Sequence, residues 1–142
     1  MKVIFLDIDG VINLDIDWCE ESINVLNKLI NVTDSKIVIT SDWRYNYTLT
    51  ELRNIFNNIG LHCEIIDTID LQENSNIESM EKDRIIGIMN YIKKHELDNY
   101  LIIDDMDLDK FDLINHRFVK TKFSQGLKET GLLEKCIEVL KK

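Results

Sequence analysis

Short apolar runs alternate with longer amphipathic segments along this chain. The runs are mostly apolar at consecutive positions and too short for a helix, which indicates strands that are buried on both faces. The runs lie at residues 3–6, 37–40, 63–66, 101–103 and 118–119. Strands of this kind are typical of parallel sheets that are covered by helices on both sides.

The segments between these runs carry apolar residues at helical spacing. They lie around residues 23–30, 49–59, 85–92 and 133–140. For the second of them, Thr48 and Glu51 predict an N-terminal capping box, and Gly60 stands at the position of a C-terminal cap. The order of elements predicts an α/β fold of three layers, with a mainly parallel sheet of about five strands.

Length and charge narrow the possible functions. The 142 residues predict one domain, residues 1–142. No apolar run is long enough to cross a bilayer, and the four apolar residues before Asp7 are too few for a signal peptide, so we expect a cytoplasmic protein without membrane association. The formal net charge of −9 opposes non-specific binding to nucleic acid. A phosphorylated ligand would therefore be held locally, by a metal ion or by a few cationic side chains.

Polar residues directly follow three of the predicted strands, at the edge of the sheet where ligands are expected. They are Asp7 and Asp9 after the first strand, Thr40, Ser41 and Asp42 after the second, and Asp104 and Asp105 after the fourth. Several carboxylates in one crevice repel one another unless a cation neutralises them, and Mg²⁺ is the natural cation for oxygen ligands. We therefore predict an Mg²⁺ cofactor, whose candidate ligands are Asp7, Asp9, Asp104 and Asp105.

These residue types suit phosphoryl transfer. Asp7 would attack phosphorus and form an acyl phosphate that water then hydrolyses, and Asp9 would protonate the leaving group and then activate that water. The phosphate itself needs hydroxyl and cationic partners. The candidates for that role are Thr40, Ser41, Arg44, Lys82 and Arg84.

The order of these residues resembles the four motifs of the haloacid dehalogenase (HAD) superfamily. Residues 5–11, with the sequence FLDIDGV, resemble the first motif, and residues 39–41 resemble the second. Residues 102–105 resemble the fourth, and the third is a basic residue. Arg84 fits the helix register better for that position, whereas Lys82 fits the commoner chemistry of the superfamily. Either Asp104 or Asp105 would bind the metal directly.

A narrower resemblance involves the run TSDWR at residues 40–44, the start of the third helix at residues 84–92, and residues 121–127. These segments are similar to compact HAD domains grouped with Swiss Army Knife RNA-repair proteins. The resemblance implies a Rossmann-like core, Asp7 as nucleophile, Asp9 as general acid/base and Mg²⁺ as cofactor. It also suggests a nucleotide or a nucleic-acid end as the substrate.

The chain leaves no room for the cap domain that gives many HAD enzymes their selectivity. Residues 11–36 must already supply a helix, and residues 42–81 hold a helix, a strand and a polar loop at 67–81 that is at most a lid. An uncapped site is open to solvent. We therefore expect a substrate large enough to cover the site, or a protein partner that completes it.

Two other classes of function compete with a phosphatase. A receiver domain of a signalling protein also arranges acids around Mg²⁺, but it carries its acidic pair after the first strand, whereas here the adjacent pair Asp104 and Asp105 follows a late strand. A catalytically idle HAD-like binding module is the second alternative. Every motif position retains a competent residue type, which favours an enzyme. Trp43 is interpreted as a packing residue rather than as a platform for a base.

Overall fold

The computed structural model describes residues 1–70, 80–112 and 114–141 of the chain. In chain order its strands and helices are β1 (Lys2–Leu6), β2 (Asn13–Leu14), β3 (Asp17–Trp18), α1 (Glu20–Thr33), β4 (Lys36–Ile39), α2 (Leu49–Asn58), β5 (Ile65–Thr68), α3 (Met80–His95), β6 (Asn99–Asp104), β7 (Phe118–Lys120) and α4 (Leu132–Lys141). Five of the strands form one parallel sheet in the order β5-β4-β1-β6-β7. Since β1 is central, the residues that follow it lie in the middle of the sheet's carboxyl edge.

Alternate residues of the sheet enter two separate apolar cores. Ile4 and Leu6 belong to a core that includes residues of α1, α2 and α4. Phe5 lies on the other face, in a core that contains Ile85 and Ile88 of α3. Both faces of the sheet are therefore covered, which explains why its strands are apolar at consecutive positions. The predicted α/β fold of three layers is confirmed.

The predicted strands and helices occur in the predicted order, with ends that differ by a few residues. The capping box of α2 is present, because the Thr48 N–H donates to Glu51 Oε1 at 2.9 Å and the Glu51 N–H donates to Thr48 Oγ1 at 3.2 Å. Gly60 follows this helix with a φ of +86°. Local sequence signals therefore suffice for the helix boundaries that they mark.

The antiparallel hairpin of β2 and β3 was not predicted. Its turn places Asp15 at a φ of 50° and Ile16 at a φ of 67°. Turns of this geometry favour Asn-Gly or Asp-Gly, and a β-branched residue is uncommon there. Asp15-Ile16 therefore carries no recognisable turn signal.

No cap domain is present in the part of the chain that the structure describes, where the hairpin alone separates β1 from α1. The polar loop predicted at residues 67–81 is shorter than expected, because residues 67–68 belong to β5 and residues 80–81 belong to α3. Its middle, residues 71–79, lies outside the described residues. Among the helices described, none combines the length and the apolar character needed to cross a bilayer.

Candidate active site

Neighbouring strands bring the predicted acids together. Leu6 of β1 pairs with Ile103 of β6, so Asp7 and Asp104 follow adjacent positions of the sheet. Asp7 is 4% exposed and Asp104 is fully buried. Carboxylate oxygens of Asp7, Asp104 and Asp105 lie within 4.8 Å of one another. These three side chains form what we call the acidic group.

Arg84, in the first turns of α3, binds this group from the side. Its Nη1 donates to Asp104 Oδ2 at 2.8 Å and lies 3.4 Å from Asp7 Oδ1, while its Nη2 donates to Asp42 Oδ1 at 3.0 Å. Lys82 is exposed to solvent. Residues two apart do not share a helix face, so only one of the two candidates can point at the sheet. The structure brings Arg84 to the site and does not bring Lys82 there.

The acidic group fits a divalent cation. Burial and then repulsion from Asp104 raise the pKa of Asp7 well above its ordinary value, although Arg84 acts in the opposite direction. Burial likewise raises the pKa of Asp105. One guanidinium therefore does not offset three close carboxylates. A hard cation with oxygen ligands would supply the missing positive charge, and Asp7, Asp104 and Asp105 would hold it.

Three of the four predicted metal ligands form this close group, and the Asp9 carboxylate is the one outside it. It is exposed, and the chain has left β1 by this point and turns into the hairpin, with a bridge between Asp9 and Asn13. Its Oδ2 accepts a hydrogen bond from the indole nitrogen Nε1 of Trp43 at 3.1 Å. Asp9 is therefore the solvent-exposed member of the predicted set, and its carboxylate contacts Trp43.

Gly10 makes room for the acidic group. Its φ is +81°, and a Cβ atom at this position would lie 2.5 Å from Asp105 Oδ2. The carbonyl oxygen of Gly10 accepts a hydrogen bond from Thr121 Oγ1 at 2.7 Å. Only glycine combines this backbone conformation with this close approach. The turn after β1 thus lies close to Asp105, which follows β6, and accepts a hydrogen bond from Thr121, which follows β7.

The two hydroxyl candidates follow β4, and both are buried. Thr40 Oγ1 has no hydrogen-bond partner among the residues that the structure describes. Ser41 Oγ accepts a hydrogen bond from the backbone N–H of Trp43 at 3.3 Å and caps the short 3₁₀ helix Asp42–Tyr45. Both residues are in the predicted place, at the carboxyl end of a strand next to β1.

Arg44, a predicted phosphate ligand, uses one guanidinium nitrogen for contacts within its own segment. Its Nη1 donates to the carbonyl oxygens of Thr40 and Ser41, at 2.6 Å and 3.0 Å, and lies 3.4 Å from Asp42 Oδ1. A guanidinium bound to backbone carbonyls satisfies groups that would otherwise be unpaired in the interior. Arg44 therefore holds the segment after β4 in shape.

Two residues of this segment have contacts that sequence reasoning missed. The sequence gives Asp42 no role of its own, yet Asp42 forms an ion pair with Arg84. Trp43 packs against Trp18 and Tyr47, as a packing residue should, and also donates to Asp9. Their position directly after Ser41 is the only signal that could have suggested them.

Comparison with known families agrees with this geometry. The family model described as "HAD domain in Swiss Army Knife RNA repair proteins" matches residues 3–132 of the 142-residue chain. The matched region contains the acidic group, Asp9, Ser41 and Arg84. No curated protein and no solved structure matches the chain.

Proposed function

This chain belongs to the family of HAD domains in Swiss Army Knife RNA repair proteins, and on that premise we propose that it hydrolyses phosphate monoesters through a phosphorylated aspartate. The observation that supports this proposal most strongly is the arrangement around Asp7. A buried carboxylate at the end of the central strand lies beside one guanidinium and two further carboxylates. A nucleophile, a cation for the phosphate and a place for a metal are thereby next to one another.

Asp7 is the proposed nucleophile. A carboxylate oxygen of Asp7 attacks phosphorus, the ester P–O bond breaks, and its electron pair goes to the oxygen of the leaving group. The product of this step is an acyl phosphate on Asp7 and a free alcohol. Burial against strand ends and the contact with Arg84 hold the Asp7 side chain in one orientation, which an in-line attack requires.

Asp9 is the proposed general acid and base. Its carboxyl group gives a proton to the leaving oxygen in the first step and takes a proton from water in the second, when the water oxygen attacks phosphorus and releases inorganic phosphate from Asp7. Its exposure at the open side of the site supports this role, because leaving group and water both arrive from solvent. The proton given in the first step is thereby regained in the second.

Arg84 and the hydroxyl of Ser41 are the proposed phosphate ligands, and Thr40 is the alternative hydroxyl. Arg84 is always charged and presents several N–H donors, so it can bind phosphate oxygens while it contacts Asp104. Bound Mg²⁺, held by Asp7, Asp104 and Asp105, would neutralise charge on the phosphate oxygens. We assign no role to Lys82 or Arg44, because Lys82 does not share the helix face of Arg84 and Arg44 Nη1 binds backbone carbonyls.

For the substrate we propose a phosphate at the end of a nucleic acid or on a nucleotide. The family and the absence of a cap domain in the described residues support this class. The net charge of −9 weakens binding to a long nucleic-acid strand. We therefore expect the protein to contact the terminal nucleotide only, or to need a partner that supplies a cationic surface. A panel of 5′- and 3′-phosphorylated oligonucleotides, mononucleotides, sugar phosphates and phosphopeptides tests this choice. A preference for sugar phosphates would refute the substrate class and leave the chemistry intact.

The chemistry is tested with p-nitrophenyl phosphate, with Mg²⁺ and with EDTA. We expect phosphate release that requires Mg²⁺ and falls by about a thousandfold or more in Asp7→Asn, because an amide is a poor nucleophile. Asp98→Asn is the matched control, since Asp98 is exposed and precedes β6 at the opposite edge of the sheet. Wild-type turnover in Asp7→Asn would refute the mechanism. A protein that binds Mg²⁺ but hydrolyses no phosphate ester would be a binding module instead.

A further inference from the structure

We propose that Trp43 is a positioning residue for the general acid, and that its indole N–H holds the Asp9 carboxylate in the orientation needed for proton transfer. This inference rests on the proposed function, because it assigns Asp9 the acid/base role. It goes further in giving a task to a tryptophan whose ring position alone indicates only packing.

The contact itself joins Trp43 Nε1 to Asp9 Oδ2 at 3.1 Å. An indole nitrogen can only donate a hydrogen bond, so Oδ2 is the acceptor. Asp9 is exposed, and an exposed carboxylate without a fixed partner samples several rotamers. The indole N–H therefore selects one of them, at the side of the site that solvent and leaving group reach.

The donor is held more firmly than a surface side chain would be. The Trp43 ring is half-buried and lies between Trp18, with ring centroids 5.2 Å apart, and Tyr47, with stacked rings 5.4 Å apart. Its backbone N–H donates to Ser41 Oγ at 3.3 Å. Because the ring and the backbone of Trp43 are both fixed, the hydrogen bond transmits that rigidity to Asp9.

The same short helix therefore sets two parts of the site relative to each other. Ser41 begins it as a proposed phosphate ligand, and Trp43 reaches Asp9 across 34 positions of the chain. Proton transfer to the leaving oxygen requires the acid to lie at a set distance from the bound phosphate. The hydrogen bond from Trp43 to Oδ2 therefore fixes the direction of the Asp9 carboxylate relative to Ser41.

A kinetic test separates positioning from packing. Trp43→Phe keeps an aromatic ring but removes the N–H, and Trp18→Phe changes the neighbouring ring but leaves the N–H in place. We measure kcat/KM for the wild type, both variants and Asp9→Asn, on an alkyl phosphate and on p-nitrophenyl phosphate. An activated aryl leaving group needs little protonation. Loss of the acid's orientation should therefore lower kcat/KM mainly for the alkyl ester.

For Trp43→Phe we expect a loss of about tenfold on the alkyl phosphate and of less than about twofold on the aryl phosphate. Asp9→Asn should show the same selectivity with a larger loss, and Trp18→Phe should lower both rates equally or not at all. If Trp43→Phe is too unstable to assay, benzothienylalanine at position 43 keeps the shape of the indole and replaces N–H by sulfur. The expected result for this substitution is the same.

A second measurement detects the contact without turnover. The chain has two tryptophans, so its two indole N–H signals in a ¹⁵N-labelled sample are assigned from Trp43→Phe and Trp18→Phe. Asp9→Ala should shift the Trp43 signal upfield and leave the Trp18 signal nearly in place. The contact would be refuted if the Trp43 signal did not respond.

The outcomes distinguish this inference from the proposed function. A wild type that releases no phosphate from either ester would overturn both. The positioning role alone would be overturned if the wild type is active and Trp43→Phe loses kcat/KM equally on both esters or not at all. Loss confined to the alkyl ester, together with the Trp43 signal shift, would support it.

Discussion

Arg84 Nη1 donates to Asp104 Oδ2 at 2.8 Å, and both side chains are buried at the carboxyl edge of the sheet. The same guanidinium reaches Asp7 and Asp42. One cation thus joins the proposed nucleophile, a candidate metal ligand and the segment after β4. Arg84 thereby links the acidic group to the segment after β4.

Arg84 and Lys82 should differ sharply when each is changed to glutamine. Arg84→Gln removes a cation that contacts the site, so we expect kcat/KM to fall by an amount on the order of 3 kcal/mol. Lys82→Gln removes an exposed charge and should change kcat/KM by less than about twofold. Because a buried acidic group without its cation is destabilising, Arg84→Lys is the second variant and should give an intermediate loss. A larger loss in Lys82→Gln than in Arg84→Gln would contradict this assignment.

Gly10 and Gly60 form a matched pair, because both have a positive φ, of +81° and +86°. A Cβ on Gly60 would meet nothing within 4 Å, whereas one on Gly10 would lie 2.5 Å from Asp105 Oδ2. Gly60→Ala should lower the free energy of unfolding by about 1 kcal/mol, for the backbone alone. Gly10→Ala should lower it by a further 1–3 kcal/mol or so, because Asp105 must move.

Urea unfolding of the two alanine variants checks this difference, and Mg²⁺ titration of the folded proteins adds a second measurement. Displacement of Asp105 should weaken Mg²⁺ binding in Gly10→Ala, while Gly60→Ala should bind as the wild type does. Equal stability and equal Mg²⁺ affinity in the two variants would show that Asp105 adjusts without consequence.

Removing one charge from the acidic group should stabilise the fold in the absence of metal and reduce the stability gained from Mg²⁺. In EDTA, Asp105→Asn should raise the free energy of unfolding by an amount on the order of 1 kcal/mol, because repulsion from Asp105 is among the causes that raise the pKa of Asp7. With Mg²⁺ present, the added stability from metal binding should be smaller than in the wild type.

Asp109→Asn is the control for this charge effect. Asp109 is exposed in the short 3₁₀ helix Leu108–Lys110, and the same change of charge there should leave the Mg²⁺ response unaltered. Both variants are compared by urea unfolding at fixed pH and ionic strength. If Mg²⁺ raises the free energy of unfolding of Asp105→Asn as much as that of the wild type, Asp105 is excluded as a ligand.

The order of strands and helices could be predicted because its signals are local. Consecutive apolar residues mark the strands, helical spacing marks the helices, and Thr48 with Glu51 marks the start of α2. The place of Asp7, Ser41 and Asp104 was also predictable, since parallel strands present the residues that follow them at one edge. The hairpin after β1 was missed because its turn lacks the residues that such turns favour.

The directions of the polar side chains were decided by the tertiary structure alone. The sequence left Lys82 and Arg84 as alternatives for the basic residue of the third motif. The packing of α3 on the sheet buries Arg84 among the acids and exposes Lys82. Arg44 turns to the carbonyls of its own segment, and Trp43 finds Asp9 34 positions away. The chain's pattern determines which residues reach an edge of the sheet, because that depends on local periodicity. Which of them then touch depends on rotamers and on neighbours distant in sequence, and only the folded arrangement specifies those.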